Sequence, residues 1–163
     1  MTDRIDARGL RVAVVACRGP SAVDAELLGA ALETLRNCGV AEPTVVQVGD
    51  AFELPLVAKS LAALGHHAVV CVGLVPRGPG RPADDVCRAI TDGCAHVALA
   101  TGVPIGFGLL TGDPAGTPGP ASERGSAGAR GSEAALAALE TALLLRDLRH
   151  GGQSEAADRR SAR

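Results

Sequence analysis

The chain has 163 residues, enough for one domain with a core of its own, and a formal net charge of −2 that argues against wholesale binding to nucleic acid or acidic lipid. Hydrophobic residues make up 47% of it, yet it has only two phenylalanines, Phe52 and Phe107, and neither Tyr nor Trp. Leu, Val and Ala must therefore fill the core, and a site that stacks a flat ligand has few rings to use.

The opening residues, "MTDRIDARGL", are polar and acidic and do not read as a signal peptide; residues 1–8 are expected to form an N-terminal arm. A first strand is predicted over 11–17 ("RVAVVAC"). It is followed by a helix starting at Ser21, a good N-cap, with Asp24 at the third helical position as a variant capping box. That helix sets Leu28, Leu32 and Leu35 on one face and stops at Gly39. A second strand ("TVVQV", 44–48) leads to a helix over about 51–64, ending at Gly65. The third strand, over 67–75 ("HAVVCVGLV"), runs into "PRGPGRPADD" and a helix from about 84 to 101, with Val86, Ile90, Val97 and Ala98 inward and Gly102 as its stop. A fourth strand is expected over 103–111 ("VPIGFGLLT"), and a last helix from Ser132 ("SEAALAALETALLLRDLR"). The four strands are nearly continuously apolar, as strands buried on both faces are. Their alternation with helices predicts a three-layer α/β/α sandwich around a four-stranded parallel sheet, flavodoxin-like, over residues 9–150.

The last helix carries Leu136, Leu139, Leu143, Leu144, Leu145 and Leu148, a wider apolar band than one sheet face needs, so part of it is expected to meet another subunit. Residues 112–131 are rich in Gly, Pro, Ala and Ser, a long loop for a compact domain and hence functional or mobile; 151–163 read as a disordered, solvated tail. Five cysteines without a CxxC pair, mostly on apolar stretches, read as reduced and buried thiols of a cytoplasmic protein rather than as metal ligands. No apolar run approaches the ~20 residues of a membrane span.

Ligands of open parallel sheets bind beyond the carboxyl ends of the strands. Four segments fall there: 17–21, 49–55, 73–85 and the 112–131 loop. Several residues in them have ordinary as well as functional readings. Asp84 and Asp85 are either helix-start acids favoured by the dipole or a new acid/base. Arg81 is a solvated loop charge or an anion ligand near a helix N-terminus. Glu53 is a cap, an ion-pair partner or a ligand acceptor. His66, His67, His96 and His150 read as surface residues. "GPGRP" lacks the GK[ST] ending of a phosphate loop.

Taken together, "AFELPLVAK" (51–59), "TGVPIGFGLLT" (101–111), "VPRG" (75–78) and the closing "GSEAALAALETALLLR" resemble the lumazine synthase family in order and spacing, over about residues 9–149. The resemblance implies a condensation in riboflavin biosynthesis. A ribitylamino-pyrimidinedione amine and a four-carbon dihydroxybutanone phosphate form an imine, lose phosphate and close to 6,7-dimethyl-8-ribityllumazine, with no cofactor or metal. It also implies sites shared between neighbours of a homopentamer, sometimes assembled into larger shells in multiples of five.

Carried over residue by residue, the resemblance places Ala51, Phe52 and Glu53 along the ribityl chain, with Glu53 accepting from its hydroxyls. Val75, Arg77 and Gly78 match the strand end and turn beside the ring, Phe107 matches the ring that a neighbouring subunit contributes, and Arg124 aligns with the arginine that binds the leaving phosphate. The departures are as specific. Gly19 follows Arg18 where the family has a stacking Trp or Phe, and Gly49-Asp50 replaces Pro-Gly. Pro79-Gly80-Arg81 replaces a threonine region that cradles phosphate, and Pro82 stands at the position of the general acid/base histidine. Proline has no proton to transfer. Arg77 and Asp84 are then the remaining candidates for catalysis. Three functions follow as expectations: a diverged enzyme that still condenses an amine with a small carbonyl compound, a non-catalytic binder of a flavin- or lumazine-like heterocycle, or a structural shell subunit.

Overall fold

A computed structural model describes residues 5–19, 21–113 and 127–161, with side chains as far as residue 152. Its strands are β1 (Val12–Cys17), β2 (Thr44–Val48), β3 (Ala68–Pro76) and β4 (Ile105–Gly112). The helices are α1 (Ala22–Asn37), α2 (Leu54–Ala63), α3 (Ala83–Thr101) and α4 (Ala127–Ser161). The strands form one parallel sheet in the order β2-β1-β3-β4. One core lies between the sheet and α1 and α4, around Leu27, Leu35, Val70 and Leu139. The other lies between the sheet and α2 and α3, around Leu54, Cys71, Ile90 and Cys94. This is the expected three-layer, flavodoxin-like sandwich.

The order of strands decides which of them are buried. Every residue of β1 is buried, and all of β3 but its last, so these two central strands match the two-sided burial expected of their apolar runs. β2 and β4 are the sheet edges and are not covered on both sides. Val45 is 43% exposed and Phe107 43% exposed, which corrects the expectation for those two strands. On β4 the missing side chains serve packing. A Cβ on Gly106 would come within 2.0 Å of the Ala134 carbonyl oxygen, so α4 rests directly on the strand backbone. On the same helix a Cβ on Gly131 would meet the Leu27 carbonyl oxygen at 2.3 Å, which lets α1 and α4 approach closely.

Several boundaries move. The second predicted helix divides into a 3₁₀ turn (Ala51–Glu53) and α2, with Pro55 in the first turn of α2, where a missing N–H costs nothing. α4 begins at Ala127, before Ser132, and its helical path continues past Gly151 to Ser161, while residues 114–126 of the predicted loop lie outside the described residues. Leu28 and Leu32 are half-buried at the margin of the core, while Val23, Leu27, Ala31 and Leu35 form the inward face of α1. His66, expected at the surface, is buried. Its ring hydrogen-bonds the Leu61 carbonyl at 2.8 Å and Thr44 Oγ1 at 3.2 Å, tying the end of α2 to the start of β2. His67 is exposed, and its Nδ1 accepts from the Arg11 amide.

Candidate functional site

In the order β2-β1-β3-β4 the chain leaves β1 in one direction and later passes to β3 in the other, so the crevice of the sheet opens between the carboxyl ends of β1 and β3. A cavity of about 200 Å³ lies there, walled by Cys17, Arg18, Gly19, Asp24, Asp50, Leu74, Pro76 and Asp113. A larger cleft of about 420 Å³ at the amino ends of the strands, with Arg8, His67, Arg146 and Arg149 in its wall, contains none of the residues singled out as site candidates. The carboxyl-end cavity is the candidate site on grounds of topology and chemistry rather than size.

Each wall is set by local sequence. Arg18 N donates to the Val48 carbonyl at 2.7 Å, binding the first loop to the end of β2. Beside it, Asp50 caps the 3₁₀ turn, its Oδ1 accepting from Phe52 N at 2.8 Å. Glu53 closes the capping box, with Oε2 accepting from Gly49 N at 2.9 Å and Asp50 N at 3.2 Å. The Glu53 carboxylate, expected to accept from ligand hydroxyls, thus serves as a cap here and still has an exposed side chain. Ala51 is buried in the core under α2, and Val75 is also a core residue, 3% exposed, so neither offers a side chain to the cavity.

The loop after β3 is held at both ends. Arg77 N donates to the Gly112 carbonyl, and the Arg77 guanidinium donates to Thr111 Oγ1 at 2.9 Å, so this arginine is bound to the end of β4. Gly80 turns the chain with φ of 119°, a conformation side chains disfavour, and Pro82 becomes the N-cap of α3. Its carbonyl accepts from Asp85 N and Val86 N, but proline supplies no side-chain cap. Asp84 and Asp85 sit exposed in the first turn, Asp85 within 3.4 Å of Arg88. Arg81 is an exposed loop charge, as one of its two readings expects, and it has a further contact. Its guanidinium carbon lies 5.6 Å from the Phe52 ring centroid, a cation–π contact that draws the loop over the 3₁₀ turn. Gly78 is exposed in the same loop.

Of the residues predicted for the site, only Gly19 lines this cavity. Phe107 sits mid-strand on the edge strand β4, in register with Cys71 and far from the carboxyl end, and Arg124 lies outside the described residues. Asp24 is among the cavity residues that the sequence reading did not single out as site candidates. Asp24 does not complete a capping box. Ser21 Oγ alone accepts from Val23 N, and Asp24 turns inward, 7% exposed, with Oδ1 accepting from Leu74 N at 3.0 Å. Burial raises its carboxyl above the ordinary 3.8, opposed by the Leu74 hydrogen bond. The same burial, with Asp24, Asp50 and Glu53 nearby, pushes the Cys17 thiol up to about 12, so Cys17 is not a nucleophile at neutral pH. The signal was present in the pattern: Asp24 lies three residues before Leu27 and seven before Ala31, on the buried face of α1.

Among the described residues no group of three or more His, Cys, Asp or Glu could hold a metal ion, and no helix is long and apolar enough to cross a membrane. The cavity offers polar acceptors and one arginine to a small polar molecule.

Comparison with known proteins is decisive for ancestry. Residues 9–146 match the family model of 6,7-dimethyl-8-ribityllumazine synthase. A protein of that name from Kineococcus radiotolerans is 50% identical over 143 residues, covering 87% of this chain and 89% of its own. Another from Thermobifida fusca is 44% identical over 152 residues, covering 89% and 85%, and one from Frankia casuarinae is 44% identical over 152 residues, covering 88% and 91%. Identity at this level over nearly the whole sheet, together with the three-layer fold, shows that the chain belongs to the 6,7-dimethyl-8-ribityllumazine synthase family of riboflavin biosynthesis.

Proposed function

We propose that the protein is a condensing enzyme of the lumazine synthase type with an altered site, joining an amine to a small carbonyl compound. The ancestral pair is the ribitylamino-pyrimidinedione amine and the dihydroxybutanone phosphate. The observation that carries this reading is the cavity between the carboxyl ends of β1 and β3, walled by Arg18, Asp24 and Asp50 and built from segments that flank the family motifs. Amine and ketone are intrinsically reactive, so a pocket that only orients them already speeds their union. Loss of the stacking ring at Gly19 removes about 0.5–1.5 kcal/mol of aromatic pairing. An absent histidine at Pro82 removes a contribution of about 10²–10⁴-fold unless another group carries protons.

The working form is a pentamer or a multiple of five, in which Phe107 of one subunit reaches the site of the next. Supporting this, Phe107 is 43% exposed on an edge strand, and Leu144 and Leu148 stand 59% and 63% exposed on α4. Isolated chains would leave these apolar side chains in water.

The test is to incubate the purified protein with both substrates and follow 6,7-dimethyl-8-ribityllumazine by mass spectrometry. Product forming faster than in the protein-free mixture is the expected result. No excess product, combined with tight binding of riboflavin, would replace this reading with that of a heterocycle binder. No excess product and no binding, in a stable assembly, would favour a structural subunit.

A further inference from the structure

Resting on the condensation just described, we propose that Asp24 is the acid/base residue of this cavity, exchanging protons with the bound amine and carbonyl in place of a residue in the Pro82 loop. Asp24 is buried, yet it forms part of the cavity wall. Its two oxygens have different surroundings. Oδ1 is fixed by the Leu74 amide at 3.0 Å, at the end of the central strand β3. Oδ2 lies 2.1 Å from where a Cβ of residue 19 would stand, so it occupies space that any side chain at Gly19 would claim. The absent ring and the inward carboxylate are therefore one arrangement: glycine at 19 is what lets Asp24 present Oδ2 at the first loop.

The surroundings suit a proton carrier. Burial favours the neutral carboxylic acid, and the titration lies above the ordinary 3.8, closer to working pH than a solvated aspartate. The groups facing the same cavity are Arg18 on the β1 loop, Asp50 on the 3₁₀ turn, Asp113 after β4 and the neutral Cys17 thiol. Asp84, by contrast, is exposed and stands in solvent at the start of α3.

The chemistry balances with Asp24 alone. The amine nitrogen adds to the ketone carbon, and its proton passes to the former carbonyl oxygen, giving a carbinolamine. Protonated Asp24 delivers its proton to that hydroxyl, the C–O bond breaks with its electron pair, and water leaves as the nitrogen lone pair forms C=N. The iminium N–H then returns a proton to the Asp24 carboxylate. Water is lost, the acid is regenerated, and no oxidant or reductant takes part.

The experiment uses the full chain and two variants. Asp24→Asn keeps the shape and the acceptor for Leu74 N but cannot carry the proton. Gly19→Ala lies in an exposed loop and displaces Oδ2 while leaving α1 intact. The readouts are the rate–pH profile with both substrates, and the titration of the Asp24 carboxyl followed by carbon NMR with and without the pyrimidinedione amine. The wild type should show a rate inflection above 3.8 that coincides with the Asp24 midpoint. Asp24→Asn should lose the inflection and about 10²-fold in kcat with KM changed less than about threefold, and Gly19→Ala should move the midpoint and lower kcat. A folded Asp24→Asn with kcat within about threefold of wild type and an unchanged inflection would overturn the proposal. Should that variant not fold, an unaltered rate in Gly19→Ala despite a moved midpoint does the same. If the wild type itself makes no product, the condensation reading falls first, and Asp24 is judged by its titration. A midpoint that shifts when the amine binds keeps it as the group exchanging protons with ligand, and one that does not shift removes it.

Discussion

Restoring a ring at position 19 tests how the first loop is packed. The phenylalanine in Gly19→Phe must place its Cβ where Asp24 Oδ2 now lies, 2.1 Å away. Asp24 has to rotate, and Leu74 N then loses the acceptor it has at 3.0 Å. Leaving that buried amide unpaired costs about 1–3 kcal/mol. Against it the new ring gains only about 0.5–1.5 kcal/mol from any flat ligand it stacks on, and only when the ligand is bound. Asp24→Ala leaves the same amide without its partner, so each single variant carries the same loss. In the double variant that loss is counted once, and the ring enters a space already cleared. Urea unfolding of the four proteins should therefore show destabilisations that are subadditive by about 1–3 kcal/mol. Calorimetry should show riboflavin binding improved in the double variant and not in Gly19→Phe alone. Single-variant effects that add within about 0.5 kcal/mol would refute the claim that Gly19 and Asp24 share one space.

Other expectations follow from the same contacts. Glu53→Ala removes two amide acceptors at the start of the 3₁₀ turn and should destabilise the protein by about 1 kcal/mol in chemical denaturation, whatever its effect on ligand. For Asp24 the folded-state carboxyl titrates above its ordinary 3.8. Its contribution to stability is therefore complete below that value and is lost as pH rises through the higher folded value. Asp24→Asn should abolish this part of the pH dependence, so thermal scans above pH 3.8 should show its melting temperature rising relative to wild type with increasing pH. Leu144→Glu combined with Leu148→Glu should dissociate the proposed assembly at micromolar concentration in sedimentation velocity without unfolding the chain, because both side chains are already exposed in the single chain. Pro82→His fits the backbone of an N-cap at φ −55° and ψ 132° and should raise the rate by less than the full ~10²–10⁴-fold if Asp24 already carries the proton.

The fold was legible because its signals were local. Apolar runs marked β1 and β3, Ser21 marked the start of α1, and Gly39, Gly65 and Gly102 stand just beyond helix ends in the left-handed region, with φ of 94°, 90° and 70°. Site residues set by distant partners were not legible. An acid at the third position of a helix has a satisfying local explanation as part of a cap. What turns Asp24 inward is an amide fifty residues later in the chain, together with a missing side chain at Gly19. His66 repeats the lesson: adjacent to a strand start it reads as surface, and its burial depends on the Leu61 carbonyl and on Thr44. Glu53 shows the reverse case: the carboxylate expected to accept from a ligand is the one that closes the local cap.

The two most conspicuous departures, Gly19 and Pro82, are accommodated differently from simple losses. The space at Gly19 is taken by a carboxylate, and the loop ending in Pro82 lays Arg81 over Phe52. A buried carboxylate opposes folding once ionised, and here the Leu74 amide offsets part of that penalty. An exposed cation–π pair contributes on the order of 0.5–1 kcal/mol, too little to explain the shape of a loop with three prolines and two glycines by stability alone. The cavity places a buried carboxylate, a second aspartate and an arginine at the topological crevice of the sheet. That combination is what a ligand-handling site demands and what an assembly surface does not, and it is the physical reason to favour chemistry over architecture for this chain.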